Sequence, residues 1–220
     1  MGFPTGQRYK GTDEQNAALE RQFLRKAEFM HKHGTPIWNG EFGPVYADPR
    51  KDAGADEINQ ERYNLLGQQL RIYDKYQIHW SIWLYKDIGL QGMVHSSPDS
   101  LWNRTIGSFL EKKQKLRLDH WGNRPNPEID AVLKPLVNWI DSVAPAAKQT
   151  YPTPWFTERH ILRAVWQTFV AASFSDEFAE LFKDFDENGL DELAKSFAFE
   201  NCVQREGLNR ALREHAKIAS

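Results

Sequence analysis

Two short runs in this chain carry side chains able to do chemistry together. Ile37-Trp38-Asn39-Gly40-Glu41-Phe42-Gly43 is apolar and strand-like, and brings one carboxylate to its end between two glycines. Further along, Ile78-His79-Trp80-Ser81-Ile82-Trp83-Leu84-Tyr85-Lys86 is a second strand-like run ending in aromatics. A carboxylate beside an aromatic shelf suits sugar chemistry. The carboxylate attacks or stabilises an anomeric carbon, and a ring stacks on the apolar face of a pyranose. Retaining glycoside hydrolysis needs two carboxyl groups about 5–5.5 Å apart, and only one is evident here. From the residues alone Glu41 stays open between two roles. A carboxylate at the end of a buried strand is either paired with a cation or kept for chemistry. Gly40 and Gly43 leave room for a ligand to approach the backbone. Trp83 alone is more often a core residue than a platform. At the end of a parallel strand adjacent to that of Glu41, where the sites of such folds sit, it becomes a substrate-binding candidate, together with Tyr85.

The elements that must position these residues read as alternating helices and strands. Thr12 with Gln15 resembles a capping box, and Leu19, Phe23, Ala27 and Met30 recur at helical spacing behind it. Gly34 ends that helix as a left-handed cap. After the strand 37–42 and a loop, a helix over 56–76 carries Leu66, Leu70 and Tyr73 on one face. The strand 78–85 follows, then a loop with Gly89, Gly92 and His95, then a helix over 101–115 using Trp102, Ile106, Phe109 and Leu110. This is the grammar of βαβ units in a parallel sheet. Strict alternation places Glu41 with Asn39 and Ile37, and divides Trp80, Ile82 and Leu84 from His79, Ser81, Trp83 and Tyr85. Two strands cannot cover so much apolar helix surface, so further strands are expected upstream or on another chain.

After Asp119-His120-Trp121-Gly122 the pattern becomes helical only. Asn126-Pro127 reads as a cap with proline in the first turn. Ile129, Val132, Leu133, Leu136, Val137 and Ile140 trace one helix face, kinked at Pro135. Tyr151-Pro152-Thr153-Pro154 reads as a stiff linker, and Thr157 as the cap of a helix carrying Ile161, Leu162, Val165, Trp166 and Phe169.

Composition excludes several classes. With 220 residues, 40% hydrophobic and 26% charged, the chain reads as a soluble globular protein with a sizeable core. A net charge of -2 gives no field to draw nucleic acid or an anionic membrane, and no apolar run is long enough for a membrane span. Cys202 is the only cysteine; it reads as a small buried hydrophobe in a helical run and rules out an intrachain disulfide. With no signal peptide at Met1, this favours a reducing, cytoplasmic compartment. The seven His show no H-x-x-x-H or H-E-x-x-H spacing. Asp184-Phe185-Asp186-Glu187-Asn188-Gly189 imitates half of a calcium loop, but Lys195 stands where a bidentate Glu is required, so it reads as a helix-to-helix turn. No metal and no cofactor is expected.

Trp38-Asn39-Gly40-Glu41-Phe42-Gly43, followed by Ser81-Ile82-Trp83-Leu84-Tyr85-Lys86-Asp87, resembles strands seven and eight of glycoside hydrolase family 5. The likeness is to its fungal, cellulase-like branch with a long helical tail. Phe197-Ala198-Phe199-Glu200-Asn201-Cys202 and Gly207-Leu208-Asn209 extend it through the tail. The resemblance implies an α/β fold: the last two βα units of a (β/α)8 TIM barrel over residues 1–118, then an all-helical extension over 119–220. It also implies retaining hydrolysis of β-glycosidic bonds in a β-glucan or β-glucoside type of carbohydrate. Glu41 aligns with the nucleophile, and Trp83 with the aromatic flooring the subsite where the bond is cut. The family's acid/base Glu, preceded by Asn on strand four, has no counterpart, nor has the His-x-Tyr element of strand six. Gly2-Phe3-Pro4 resembles the loop after that element. Met1 therefore reads as an internal methionine, the chain as the C-terminal portion of a larger enzyme, inactive alone, and the missing leader as uninformative. The competing readings are a non-catalytic fragment binding carbohydrate or protein through its helices, and a plain helical interaction module in which Glu41 is structural.

Overall fold

A computed structural model of the chain describes residues 8–119, 126–144 and 157–219. Met1–Pro4, most of the segment 119–122 and the linker 151–154 therefore lie outside the described residues. The chain forms two compact units. The first comprises residues 1–98 together with 196–220, and the second residues 99–195. The last segment of the chain thus belongs to the same unit as residues 1–98.

In the first unit, α1 (Asp13–Lys26) starts where Thr12 Oγ1 accepts from the Gln15 N–H at 3.3 Å. The reciprocal half of the capping box is absent, since Gln15 Oε1 accepts from Lys10 N instead, at 2.7 Å. α2 (Glu28–His33) ends on Gly34, whose φ of 60° is the expected left-handed cap. β1 (Trp38–Phe42) and β2 (His79–Ile82) pair in parallel across the crossover helix α3 (Ala55–Lys75). Leu66, Leu70, Ile72 and Tyr73 of α3 pack with Leu19 and Phe23 of α1 and with Phe42, while Trp80 and Ile82 cover the cluster's edge. Phe42 meets Tyr73 and Trp80 edge-on, at centroid distances of 4.9 and 5.4 Å, a favoured arrangement for aromatic quadrupoles.

The second strand is shorter than expected. It stops at Ile82, so Trp83 and Tyr85 lie beyond its end. What reads as a loop over 86–96 contains β3 (Lys86–Asp87) and β4 (Val94–Ser96), which pair in parallel. β5 (Cys202–Gln204) adds to β4 antiparallel. Cys202 thus sits in a strand, half-exposed, not buried in a helix. The following helix α9 (Glu206–Ala219) lies on α3. It approaches so closely that a Cβ on Gly207 would fall 2.2 Å from the Tyr63 ring.

The second unit is helical among its described residues. α4 (Leu101–Lys115) begins on Ser100, whose side chain accepts from Asn103 N. It buries Ile106 and Phe109, with Phe178 packed on Phe109 and Phe182 stacked on Trp102. α5 (Pro127–Val143) is capped by Asn126 as expected, and runs through Pro135. Only Ile129, Leu133 and Val137 of its apolar face are buried; Val132 and Leu136 face solvent. α6 (Thr157–His160) continues as a π-helical stretch over Ile161–Val170. Thr157 is the first residue of this helix, and its hydroxyl donates to Asp141 Oδ1 at 2.6 Å. After α7 (Ser175–Glu180), the acidic run before Gly189 serves as the cap of α8 (Glu187–Ala194), with Asp186 Oδ1 accepting from Gly189 N. That is the helix-to-helix turn expected in place of a calcium loop.

Candidate active site

The register of β1 against β2 determines what Glu41 faces. Trp38 pairs with His79 and Asn39 with Trp80, but Phe42 pairs with Ile82. β1 therefore holds one extra residue between Asn39 and Phe42, a bulge at Gly40-Glu41. Asn39 points toward α3, donating from Nδ2 to the Tyr73 hydroxyl at 2.8 Å, and Phe42 is buried on that same side. Strict alternation would have put Glu41 there as well. The bulge turns it to the opposite face, with the exposed Trp38. On β2, Trp80 and Ile82 take the packed side, which leaves His79 and Ser81 on the face of Glu41.

Gly43 then lets the two strand ends meet. The Trp83 N–H donates to the Phe42 carbonyl at 2.7 Å, so the residue after β2 lies against the end of β1. Gly43 has φ +154°, and a Cβ on it would stand 2.7 Å from the Trp83 carbonyl oxygen. Glycine is needed here for the approach of one strand end to the other, not to leave space for a ligand. Glu41 is solvent-exposed, and among the described residues it makes neither a hydrogen bond nor an ion pair. The salt-bridge alternative for this carboxylate finds no partner there. Trp83 is 42% exposed and Tyr85 60%. Glu41, Trp83 and Tyr85 are thus all presented to solvent at or just beyond the C-terminal ends of two parallel strands, with Trp38 exposed at the start of the first.

The loops that follow the strands are held by Asp87 and by two residues with no role expected from sequence, Tyr46 and Arg205. The Asp87 carboxylate accepts from the N–H groups of Gly89, Leu90 and Gln91, folding the segment after β3 into a tight turn. Tyr46, in the loop after β1, donates its N–H to the Leu90 carbonyl at 2.7 Å. Arg205 closes the assembly from the far end of the chain. Its guanidinium donates to the Gly92 and Gly89 carbonyls at 3.1 and 2.7 Å, and stacks over the Tyr46 ring at 4.4 Å. Burial pushes the Tyr46 phenol well above its ordinary range. His95, on β4, is held below the usual imidazole value by burial, so it is uncharged at neutral pH. Arg205 and, at helical spacing from it, Asn209, whose amide donates to the Met93 carbonyl at 3.1 Å, were the available signal, but nothing local to either residue names its partner.

An open hollow of about 820 Å³ lies at the other end of β1 and β2, lined by Thr35, Pro36, Ile78 and His79 among others. It is away from Glu41, at the strand ends where parallel folds do not place their chemistry. Among the described residues no three His, Cys, Asp or Glu side chains gather in a way that could hold a metal ion, and no helix is long and apolar enough to cross a membrane.

Comparison with known proteins gives one informative likeness. The chain is 41% identical, over 224 aligned positions, to a β-xylosidase of Phanerodontia chrysosporium. The alignment takes in the whole of this chain and 47% of that protein, so the chain spans about half the length of the curated relative it matches. No protein-family model matches the chain, and no solved structure matches it.

Proposed function

We propose that this chain is the C-terminal part of a retaining β-glycosidase of glycoside hydrolase family 5, with Glu41 as the nucleophile. In this reading residues 1–118 correspond to the last two βα units of a (β/α)8 barrel and residues 119–220 to its helical extension. The observation that carries the proposal is the position of Glu41. A one-residue bulge turns it off the packed side of a parallel strand, at the C-terminal end, beside Trp83. Bulges of this kind re-aim side chains next to active sites. The likeness to a β-xylosidase along the whole chain supports a β-linked pyranoside as the substrate, with β-xylosides to be tried beside the β-glucosides that the family resemblance implies.

The chemistry follows from the two-carboxylate scheme. A Glu41 carboxylate oxygen bonds to the anomeric carbon as the glycosidic C–O bond breaks, and a second carboxyl group protonates the departing oxygen. Water then cleaves the glycosyl ester, giving up its proton to that second group, and the anomeric configuration is retained. Trp83 floors the sugar and Tyr85 extends the contact. The acid/base belongs to the protein upstream of this chain. Without it the chain alone forgoes a contribution of typically ~10²–10⁴-fold, and the positioning supplied by the missing strands as well.

The test is turnover of aryl β-xylosides, β-glucosides and β-mannosides by the protein with its upstream sequence restored. Glu41→Ala should lower kcat by several orders of magnitude, and added azide should restore turnover as a glycosyl azide of inverted configuration. Turnover that survives Glu41→Ala overturns the assignment.

A further inference from the structure

The chain's C-terminal segment carries an exposed ring to the candidate site. Phe199 opens a single turn over Phe199–Asn201, immediately before β5. Its ring is 52% exposed and lies nearly parallel to that of Tyr85, with an interplanar angle of 6° and centroids 6.4 Å apart. Both backbones are fixed from the same sheet. The Tyr85 carbonyl accepts from Val94 N at 2.9 Å, β5 is paired to β4, and Lys86 Nζ donates to the Phe197 carbonyl. Two apolar rings are thus held in place and parallel, yet left in water. Such an arrangement gains little from burial and keeps two parallel apolar ring faces in water. Trp83, two residues before Tyr85, is also exposed, at 42%, and its N–H donates to the Phe42 carbonyl at the end of the strand carrying Glu41.

We propose that Tyr85 and Phe199 form a second carbohydrate platform, on which a further pyranose of a β-linked oligosaccharide stacks beyond the sugar held at Trp83. The C-terminal segment then sets substrate length preference, although it lies far from Glu41 in sequence. The chemistry of recognition is that of the pyranose: axial C–H groups form an apolar face that matches an aromatic ring, while the equatorial hydroxyls remain in water. The proposal rests on the site being a glycoside site, but it concerns binding and requires no carboxylate.

The experiment is a titration of this chain with β-1,4-xylotetraose, followed by NMR at the aromatic side chains. Shifts are expected at Tyr85 and Phe199, and none at the equally exposed Trp139, which lies in the second unit. Phe199→Leu keeps an apolar side chain without a ring face and should weaken binding roughly 3–10-fold, whereas Phe199→Tyr should leave it nearly unchanged. Unperturbed Tyr85 and Phe199 signals overturn the proposal, as do equal shifts at Trp139 or undiminished binding by Phe199→Leu. Shifts that follow protein concentration in place of sugar report self-association and overturn it as well. Failure of the catalytic reading is separately visible: turnover surviving Glu41→Ala removes the nucleophile without touching the platform, and unperturbed ring signals remove the platform without touching the Glu41→Ala result.

Discussion

The β1–β2 sheet and the β3–β4–β5 sheet handle their second faces in opposite ways. Toward α3, the first sheet is covered by Asn39, Phe42, Trp80 and Ile82. Its other face carries Trp38, 66% exposed, and, toward the strand's other end, the exposed Glu41. The second sheet buries Val94 and Ser96 and half-buries His95 between them, closed by a strand from the end of the same chain. The second sheet thus takes its third strand from the far end of the chain, whereas the first leaves a tryptophan on an open face. Chemistry is proposed on the open-faced sheet, and the second one supports its loops.

The largest expected effect breaks the junction between the two. Gly43→Val places a β-branched side chain at φ +154° and drives its Cβ to 2.7 Å from the Trp83 carbonyl oxygen. Backbone strain and the clash together should cost roughly 3 kcal/mol, read as a lowered midpoint in urea unfolding of the chain. A loss below about 1 kcal/mol means that the strand ends do not meet as described.

Arg205→Ala should come next. It removes two hydrogen bonds to loop carbonyls and the stacking on Tyr46, at about 2 kcal/mol in total. Because Tyr46 N is bonded to the Leu90 carbonyl within the same loop pair, its amide should exchange faster in the variant while amides of α3 do not. Arg205→Lys should recover only part of the loss, since an ammonium does not span both carbonyls as the guanidinium fork does. Uniform acceleration across the whole unit would show that Arg205 holds the global fold and not the loops.

Local pattern made the first sheet legible and hid the second. Ile37–Phe42 and Ile78–Ile82 carry enough apolar alternation to read as strands, and α3 between them has the length and face of a crossover helix. The bulge at Gly40-Glu41 left no such trace. A one-residue register shift depends on the partner strand, and it separated Glu41 from Asn39, which alternation had grouped on one face. The β3 and β4 strands are two and three residues long, too short for a period, and the partner of β4 lies near the other end of the chain. Cys202 read as helical for the same reason, since its neighbours look amphipathic and only long-range pairing makes them a strand. The aromatics beyond β2 stood out in the sequence, but the pairing of Phe199 with Tyr85 did not, because the sequence does not say that the tail returns. In α5 the apolar face was evident, yet which half of it finds a partner depends on the residues packed against it.

The smallest effect sharpens the comparison most. Trp38→Thr removes a large ring from the bare face of the first sheet and keeps a β-branched residue suited to a strand. In this chain the ring touches little, so stability should change by no more than ~0.5 kcal/mol, while solubility rises as the apolar patch shrinks. If the bare face is the inside of an incomplete barrel, the same substitution in the protein with its upstream sequence restored falls in a packed interior, where removing a tryptophan side chain costs about 3 kcal/mol or more. The informative quantity is the difference between the two measurements. A large difference means that upstream strands cover the face of Glu41. Equal, small effects in both proteins mean that the face stays open to solvent, and the barrel reading of residues 1–118 fails even if Glu41 proves essential.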